Sequence, residues 1–173
     1  MGYSVPQSLT LNRPIRQNLD VASSTAMHEL GTQVISTDGR RFTYSFLSTN
    51  MTATGIAGYP AQFLGAANGH TVTTTITASD VGASFAGIFT MNIKAGSNYV
   101  WIQDGGYVPS ACASCTAGAL LYPAATGRLS ELPTGAISTS AAGVTYELAR
   151  QKAVAIGLQT HSGQLADVVL VDR

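Results

Sequence analysis

Charged side chains are scarce in this sequence of 173 residues, because Lys, Arg, Asp and Glu together make up only 10% of it. In a typical soluble domain about a quarter of the residues are charged. The formal net charge is zero, so electrostatics gives no reason to expect binding of nucleic acid or an anionic membrane. Charge also protects a surface against association. The composition therefore indicates either a neutral, hydroxyl-rich exterior or a surface that neighbouring molecules cover, and we favour the second.

Long apolar runs and enzyme motifs are also missing. No apolar run reaches the roughly 18 residues that suggest a membrane-spanning helix, and the N-terminus lacks the apolar core of a signal peptide. The motifs Gly-x-Ser-x-Gly and Gly-x-Gly-x-x-Gly and the phosphate-binding P-loop do not occur. The three histidines, His28, His70 and His161, stand far apart, and Asp38 and Asp104 precede glycine, where aspartate is first a turn residue. We therefore expect no enzyme, no cofactor and no metal.

What is present points to β structure, beginning with a hairpin in residues 28–48. Two short alternating segments flank Asp38-Gly39. Asp-Gly in this setting is a strong hairpin signal, because glycine readily takes the positive φ that the turn needs. The second segment alternates aromatic with polar side chains. We take this hairpin as the point where an extended arm ends and a β domain, residues 28–173, begins.

Further short strand patterns follow, separated by turns that contain glycine. The predicted strands are 71–77, 85–93, 99–102, 118–122, 153–160 and 166–171. Loops are predicted at 50–69 and 133–143, and a turn at 104–106. Residues 146–152 contain good helix formers, which favour one or two helical turns there. Short, regularly spaced strands are typical of a barrel or sandwich, so we predict an all-β domain, a small β-barrel or sandwich of short antiparallel strands.

Residues 1–27 show neither helical nor strand periodicity. Pro6 and Pro14 restrict the backbone to extended forms. The segment is either a disordered terminus or an extended N-terminal arm that becomes ordered when it lies across a partner. The candidate contacts of such an arm are Leu9, Leu11, Arg13, Ile15 and Arg16.

Cysteine occurs only twice, at Cys112 and Cys115. A structural zinc site needs four ligands, and no second pair or nearby histidine accompanies these two. A redox pair with this spacing lies at the start of a helix in a βαβ unit, a pattern that the sequence does not show here. We interpret the residues as two ordinary loop cysteines. A local disulfide, an intersubunit link and, last, a metal site are the alternatives.

Tyr99 and Trp101 share a face at strand spacing. Aromatic side chains placed in this way stack on sugars or bases in some proteins, but packing in a core or an interface is commoner. We predict packing, with the two residues as candidate interface aromatics and ligand stacking as the alternative. Arg40 and Arg41 form no continuous basic patch with the arginines of the arm, so we expect a solvated or partner-facing pair there.

Three passages carry a resemblance to a known family. They read HELGTQVISTDGRRFTYSF at 28–46, ASFAGIFTMNIKAGSNYVWI at 83–102, and TAGALLYPAATGRLSELP, followed later by AVAIGLQTHSGQLADVVLVDR, in the last third of the chain. Taken in this order, they resemble the small head-decoration (cement) proteins of tailed bacteriophages. The resemblance covers most of residues 28–173, while the arm and the cysteine pair lie outside it.

The resemblance implies a binding role without catalytic residues. A member of this family, made in the host cytoplasm, binds the outside of the phage capsid and reinforces the junctions between major capsid protein subunits, as a trimer or dimer. We therefore expect a virion structural protein that forms a homo-oligomer. The alternatives are another virion component such as a tail or head-tail protein, a carbohydrate-binding virion protein that uses Trp101, and a cysteine-based metal or redox module.

Overall fold

The computed structural model describes residues 19, 22–48, 57–64, 69–73, 85–93, 97–124, 127–131, 153–162 and 165–171. These residues form eleven strands and no helix, and none of their segments is a helix able to cross a membrane. The prediction of an all-β fold is confirmed. In chain order the strands are β1 (Gln33–Ile35), β2 (Arg41–Leu47), β3 (Pro60–Phe63), β4 (Thr71–Thr73), β5 (Phe85–Phe89), β6 (Tyr99–Cys115), β7 (Leu120–Pro123), β8 (Leu129–Glu131), β9 (Ala155–Gly157), β10 (His161–Ser162) and β11 (Leu165–Leu170).

Strand β6 organises the fold because its 17 residues are long enough to serve two barrels. Its first half, up to Gly105, pairs with β2 and β5, and its second half pairs with β8, β10 and β11. The pairings β2–β4–β3–β5–β6 return to β2 and close a five-stranded barrel, the N-terminal ring. The pairings β6–β11–β9–β7–β8 return to β6 and close a second ring, the C-terminal ring.

Each ring encloses its own apolar core. The core of the N-terminal ring includes Leu47, Val72, Phe89, Val100 and Ile102. The core of the C-terminal ring includes Val108, Cys112, Leu121, Leu129, Val154 and Val168. Burying one large apolar side chain stabilises a fold by about 1.5–3 kcal/mol. Side chains of β6 lie in both cores. This strand therefore joins the two barrels by side-chain packing as well as by its backbone.

Residues 104–106, predicted as a turn, lie instead within β6, so that prediction is wrong. Gly106 has a φ of 80°, and the pairing with β2 shifts its register nearby, so the strand bends without reversing. The buried side chain of Gln103 spans this bend, because its Nε2 atom donates to the carbonyls of Gly105 at 3.1 Å and Tyr107 at 2.7 Å. The glycines therefore redirect β6 from one ring to the other.

The predicted hairpin is confirmed. Strands β1 and β2 pair antiparallel, with Ile35 opposite Arg41. Between them Gly39 has a φ of 82° and its N–H donates to the carbonyl of Ser36 at 3.0 Å. Asp-Gly thus marks the turn as expected, because glycine takes the left-handed conformation at little cost.

The loop predicted at 50–69 contains a strand, β3, and in this respect the prediction is wrong. Strand β3 pairs with both β4 and β5, so the N-terminal ring would not close without it. The turn before it also contacts β6, because the carbonyl of Gly58 accepts from the N–H of Ala111 at 2.7 Å and from the hydroxyl of Ser110 at 2.9 Å. The sequence of β3, Pro-Ala-Gln-Phe, shows little alternation and so gave no strand signal.

The later elements match the prediction more closely. Strand β11 confirms the strand predicted at 166–171, and β9 is a shorter version of the one predicted at 153–160. Strand β4 occupies the first three residues of 71–77. Two pairings, β2–β4 and β6–β8, are parallel, although the sequence predicts antiparallel strands only. Residues 133–143 and 146–152 lie outside the described residues.

Candidate interaction surface

An aromatic layer lies on the outside of the N-terminal ring. Val100 and Ile102 of β6 point into the barrel core, so the alternation of the strand places Tyr99 and Trp101 outside it. The ring of Trp101 lies 4.9 Å from that of Tyr44 on β2, and the ring of Tyr99 stacks on Tyr44 at 5.9 Å. The two predicted interface aromatics therefore belong to one packed cluster.

Residues 22–31, which we call the cover segment, lie across this layer. Ser23 and Tyr99 form a bridge in which each backbone N–H donates to the other's carbonyl at 2.9 Å. Further along, the N–H of Met27 donates to the hydroxyl of Tyr44 at 3.0 Å. The last residues of the predicted arm therefore contact the β domain in this structure.

His28 completes the cover over Trp101. Its imidazole centroid lies 5.2 Å from the rings of both Tyr44 and Trp101. Trp101 keeps only 3% of its surface exposed, so its indole presents no open face on which a sugar or base can stack. Tyr99 is half-buried beside it. Both residues are used in packing within the chain.

Cys112 and Cys115 form a disulfide bond, with their Cα atoms 5.9 Å apart. They lie in the second half of β6, so the interpretation of the pair as loop cysteines is wrong. Both are buried in the core of the C-terminal ring, at 0% and 1% exposure. In the described part of the chain, no group of three or more His, Cys, Asp or Glu side chains is placed to hold a metal ion. Of the alternatives for the pair, the structure has the local disulfide.

The two arginines of the hairpin form separate ion pairs within the chain. Arg41 Nε lies 2.9 Å from Asp104 Oδ1, and the hydroxyl of Thr43 donates to the other carboxylate oxygen at 2.7 Å. Arg40 Nε lies 2.7 Å from Asp38 Oδ2 in a well-exposed pair. Exposed pairs of this kind contribute little to stability. The Arg41 pair lies beside the bend of β6 and so supports the junction between the rings.

The outer face of the C-terminal ring carries a mostly apolar patch that no described residue covers. Alternate side chains of β11 point into the core, and the others point outward. Val169 lies between Tyr107 of β6 and Ile156 of β9, so the three form a row across neighbouring strands. The exposed fractions are 46% for Tyr107, 36% for Ile156 and 52% for Leu165. The open face, as we call this surface, comprises Tyr107, Pro109, Ile156, Leu158, Leu165 and Val169.

Asp167 places a negative charge at the centre of the open face, opposite Pro109. Gln159 Nε2 donates to Asp167 Oδ2 at 2.7 Å. Hydrogen bonding to Asp167 raises the pKa of Tyr107, with smaller contributions from lost hydration and from the negative charge. A carboxylate that already has a donor costs less to cover with an apolar partner than one without a donor.

Reasoning from the sequence did not find the open face. The available signal was the alternation in 166–171, which leaves Val169 on the outward side of the last strand. Its neighbours Tyr107 and Ile156 come from two other strands, β6 and β9, and no local pattern in the sequence indicates which strands pair. The predicted arm contacts lie outside the described residues, and they are Leu9, Leu11, Arg13, Ile15 and Arg16.

Comparison with known proteins gives this chain no family. No protein-family model matches it, and no curated protein sequence matches it either.

Proposed function

We propose that this chain is a virion structural protein that binds the outside of an assembled phage capsid and stabilises the contacts between major capsid protein subunits. The open face is the observation that carries this proposal, because an exposed apolar patch of a few hundred Å² is often functional. The scarcity of charge in the chain points the same way, since little else on such a surface opposes association. The resemblance to head-decoration proteins supplies the identity of the partner.

The size of the open face suits a weak contact that is repeated many times. The face is three neighbouring strands wide and about four residues of β11 long. With the margins of the side chains included, these dimensions give an area of about 300 Å². A stable one-to-one complex buries about 800 Å² on each partner. A capsid presents many identical sites, and copies joined as a trimer or dimer bind such a lattice far more tightly than one copy does.

The chemistry of the open face also defines its complement on the capsid. Asp167 has a hydrogen-bond donor within the chain, from Gln159, so the partner does not have to supply every donor to this carboxylate. We therefore propose an uncharged, apolar patch on the capsid subunits. A protein that binds only the assembled shell stabilises it by the free energy of that binding. This role requires no chemical step, cofactor or metal.

The proposal is tested on heads purified from the virus that encodes the chain. We expect the protein to be present on intact heads. Its copy number, measured by gel densitometry, is expected to be proportional to that of the major capsid protein. A tail or head-tail component is expected at a few dozen copies at most for each particle. Absence of the protein from intact heads, or failure to rebind heads from which it has been stripped, contradicts the proposal.

A further inference from the structure

A short pairing between β6 and β8 closes the C-terminal ring. Two residue pairs form it, Cys112 with Leu129 and Ser114 with Ser130, and the register shifts between them. The two strands are parallel, an arrangement that is slightly less stable per residue than the antiparallel one. Elsewhere in the same ring β6 and β11 pair without a shift over six residues. We call the pairing of β6 with β8 the seam.

The disulfide lies at this seam. In a regular strand, Cα atoms three residues apart are separated by about 10 Å, but those of Cys112 and Cys115 are separated by 5.9 Å. The end of β6 is therefore contracted at the point where its register with β8 shifts. The covalent bond holds this contracted shape, which is the shape that the seam requires.

Tight packing around the same stretch leaves it little room to move. His161 of β10 lies opposite Cys115, and the N–H of Gly118 donates to the carbonyl of Gly157 at 2.8 Å. A Cβ atom added at Gly157 would lie 2.7 Å from the carbonyl oxygen of Thr116. A change in the shape of β6 here is therefore transmitted to β9 and β10 as well as to β8.

We propose that the disulfide is a redox-dependent latch on the seam. With the bond formed, β6 keeps its contracted end and the C-terminal ring stays closed. Reduction adds two electrons and two protons and leaves two thiols, after which the strand is free to extend and to slip from its register with β8. Because both cysteines are buried, a reductant reaches the bond only when the seam opens, so the latch is shielded once it has formed.

Hydrogen exchange followed by mass spectrometry tests the latch on the intact wild-type protein. Dithiothreitol supplies the electrons and becomes its own cyclic disulfide. We expect exchange at residues 112–116 and 127–131 to become about twentyfold faster after reduction, the factor expected from releasing a covalent loop of about four residues. Strand β2 of the N-terminal ring serves as the internal control and is expected to keep its exchange rate.

The double variant Cys112→Ala/Cys115→Ala is the matched control, because it has no thiol to oxidise. We expect its seam to exchange at the rate of the reduced wild type, with or without dithiothreitol. Thiol titration of the unfolded wild type is expected to find no free thiol before reduction and both cysteines free after it. Free thiols before reduction, or exchange at the seam that reduction leaves unchanged, would overturn the proposal even if the double variant failed to fold.

Discussion

The two rings share β6 and the same closure by five strands, yet their outer faces differ. The N-terminal ring carries an aromatic layer that the cover segment hides, and the C-terminal ring carries the open face. Two aromatic residues of β6 show the contrast, because Trp101 is 3% exposed whereas Tyr107 is 46% exposed. When the chain buries an apolar surface under one of its own segments, that burial stabilises the fold. The difference teaches that a partner is expected on the surface that no described residue covers.

The largest expected effect tests this contrast on β6 itself. We expect Trp101→Ala to lower the free energy of unfolding by about 3–5 kcal/mol, because it removes a large buried side chain. The matched change Tyr107→Ala is expected to alter it by less than about 1 kcal/mol, since the side chain is largely exposed. Unfolding in denaturant measures both values. Equal losses in the two variants would contradict the division into a covered and an open face.

The junction between the rings offers a second test, through Gln103. We expect Gln103→Leu to cost about 1–3 kcal/mol, because it removes the donor to the buried carbonyl of Gly105 and to the part-buried carbonyl of Tyr107. Gln159→Leu is the control, since this exposed glutamine donates to Asp167 on the open face. Its expected change in stability is within about 0.5 kcal/mol. If thermal unfolding shows no loss of stability in Gln103→Leu, the side chain of Gln103 does not stabilise the bend in β6.

The cover segment is tested by the fluorescence of Trp101, the one tryptophan in the chain. We expect His28→Ala to shift the emission to longer wavelength and to increase quenching by acrylamide, because water gains access to the indole. The accompanying loss of stability is about 0.5–1.5 kcal/mol, the value of a ring–ring contact. His161→Ala, on the C-terminal ring, should leave the emission unchanged. An unchanged spectrum in His28→Ala would show that the segment does not cover the indole.

The smallest expected effect concerns the ionisation of Tyr107. Its raised pKa means that the folded protein holds this proton more tightly than the unfolded chain does. The associated stability is complete below the ordinary tyrosine pKa of about 10 and is lost as the pH rises through the folded value. We expect Asp167→Asn to return the pKa of Tyr107 toward its ordinary value in a tyrosinate absorbance titration, with Tyr107→Phe identifying its signal. Identical titrations in wild type and Asp167→Asn would show that the hydrogen bond is absent.

Local signals account for the elements that the sequence predicted correctly. The hairpin depends on Asp38-Gly39 and its flanking alternation, and the last strand depends on the alternation in 166–171. Both patterns are complete within a few neighbouring residues. For that reason the all-β class and several strand positions could be read from the sequence without knowledge of the tertiary structure.

The elements that were missed depend on contacts distant along the chain. Residues 104–106 have the local composition of a turn, but pairing of β6 with β2 and β11 keeps them extended. The cysteine pair reads as part of a loop until β8 and β10 are placed beside it. The open face forms only when β6, β9 and β11 are neighbours, and no local sequence pattern indicates that arrangement.

Two isoleucines test the central claim, that the open face binds the capsid. Ile156 lies on the open face, and Ile35 is an exposed isoleucine of β1 at 69% exposure, so Ile156→Asp and Ile35→Asp make the same chemical change on the open face and on β1, which pairs with β2 of the N-terminal ring. The measurement is the amount of each variant that sediments with stripped phage heads. We expect Ile156→Asp to lose at least about tenfold in affinity, the cost of covering an unpaired carboxylate, while Ile35→Asp binds like the wild type. Equal binding of the two variants would contradict the account.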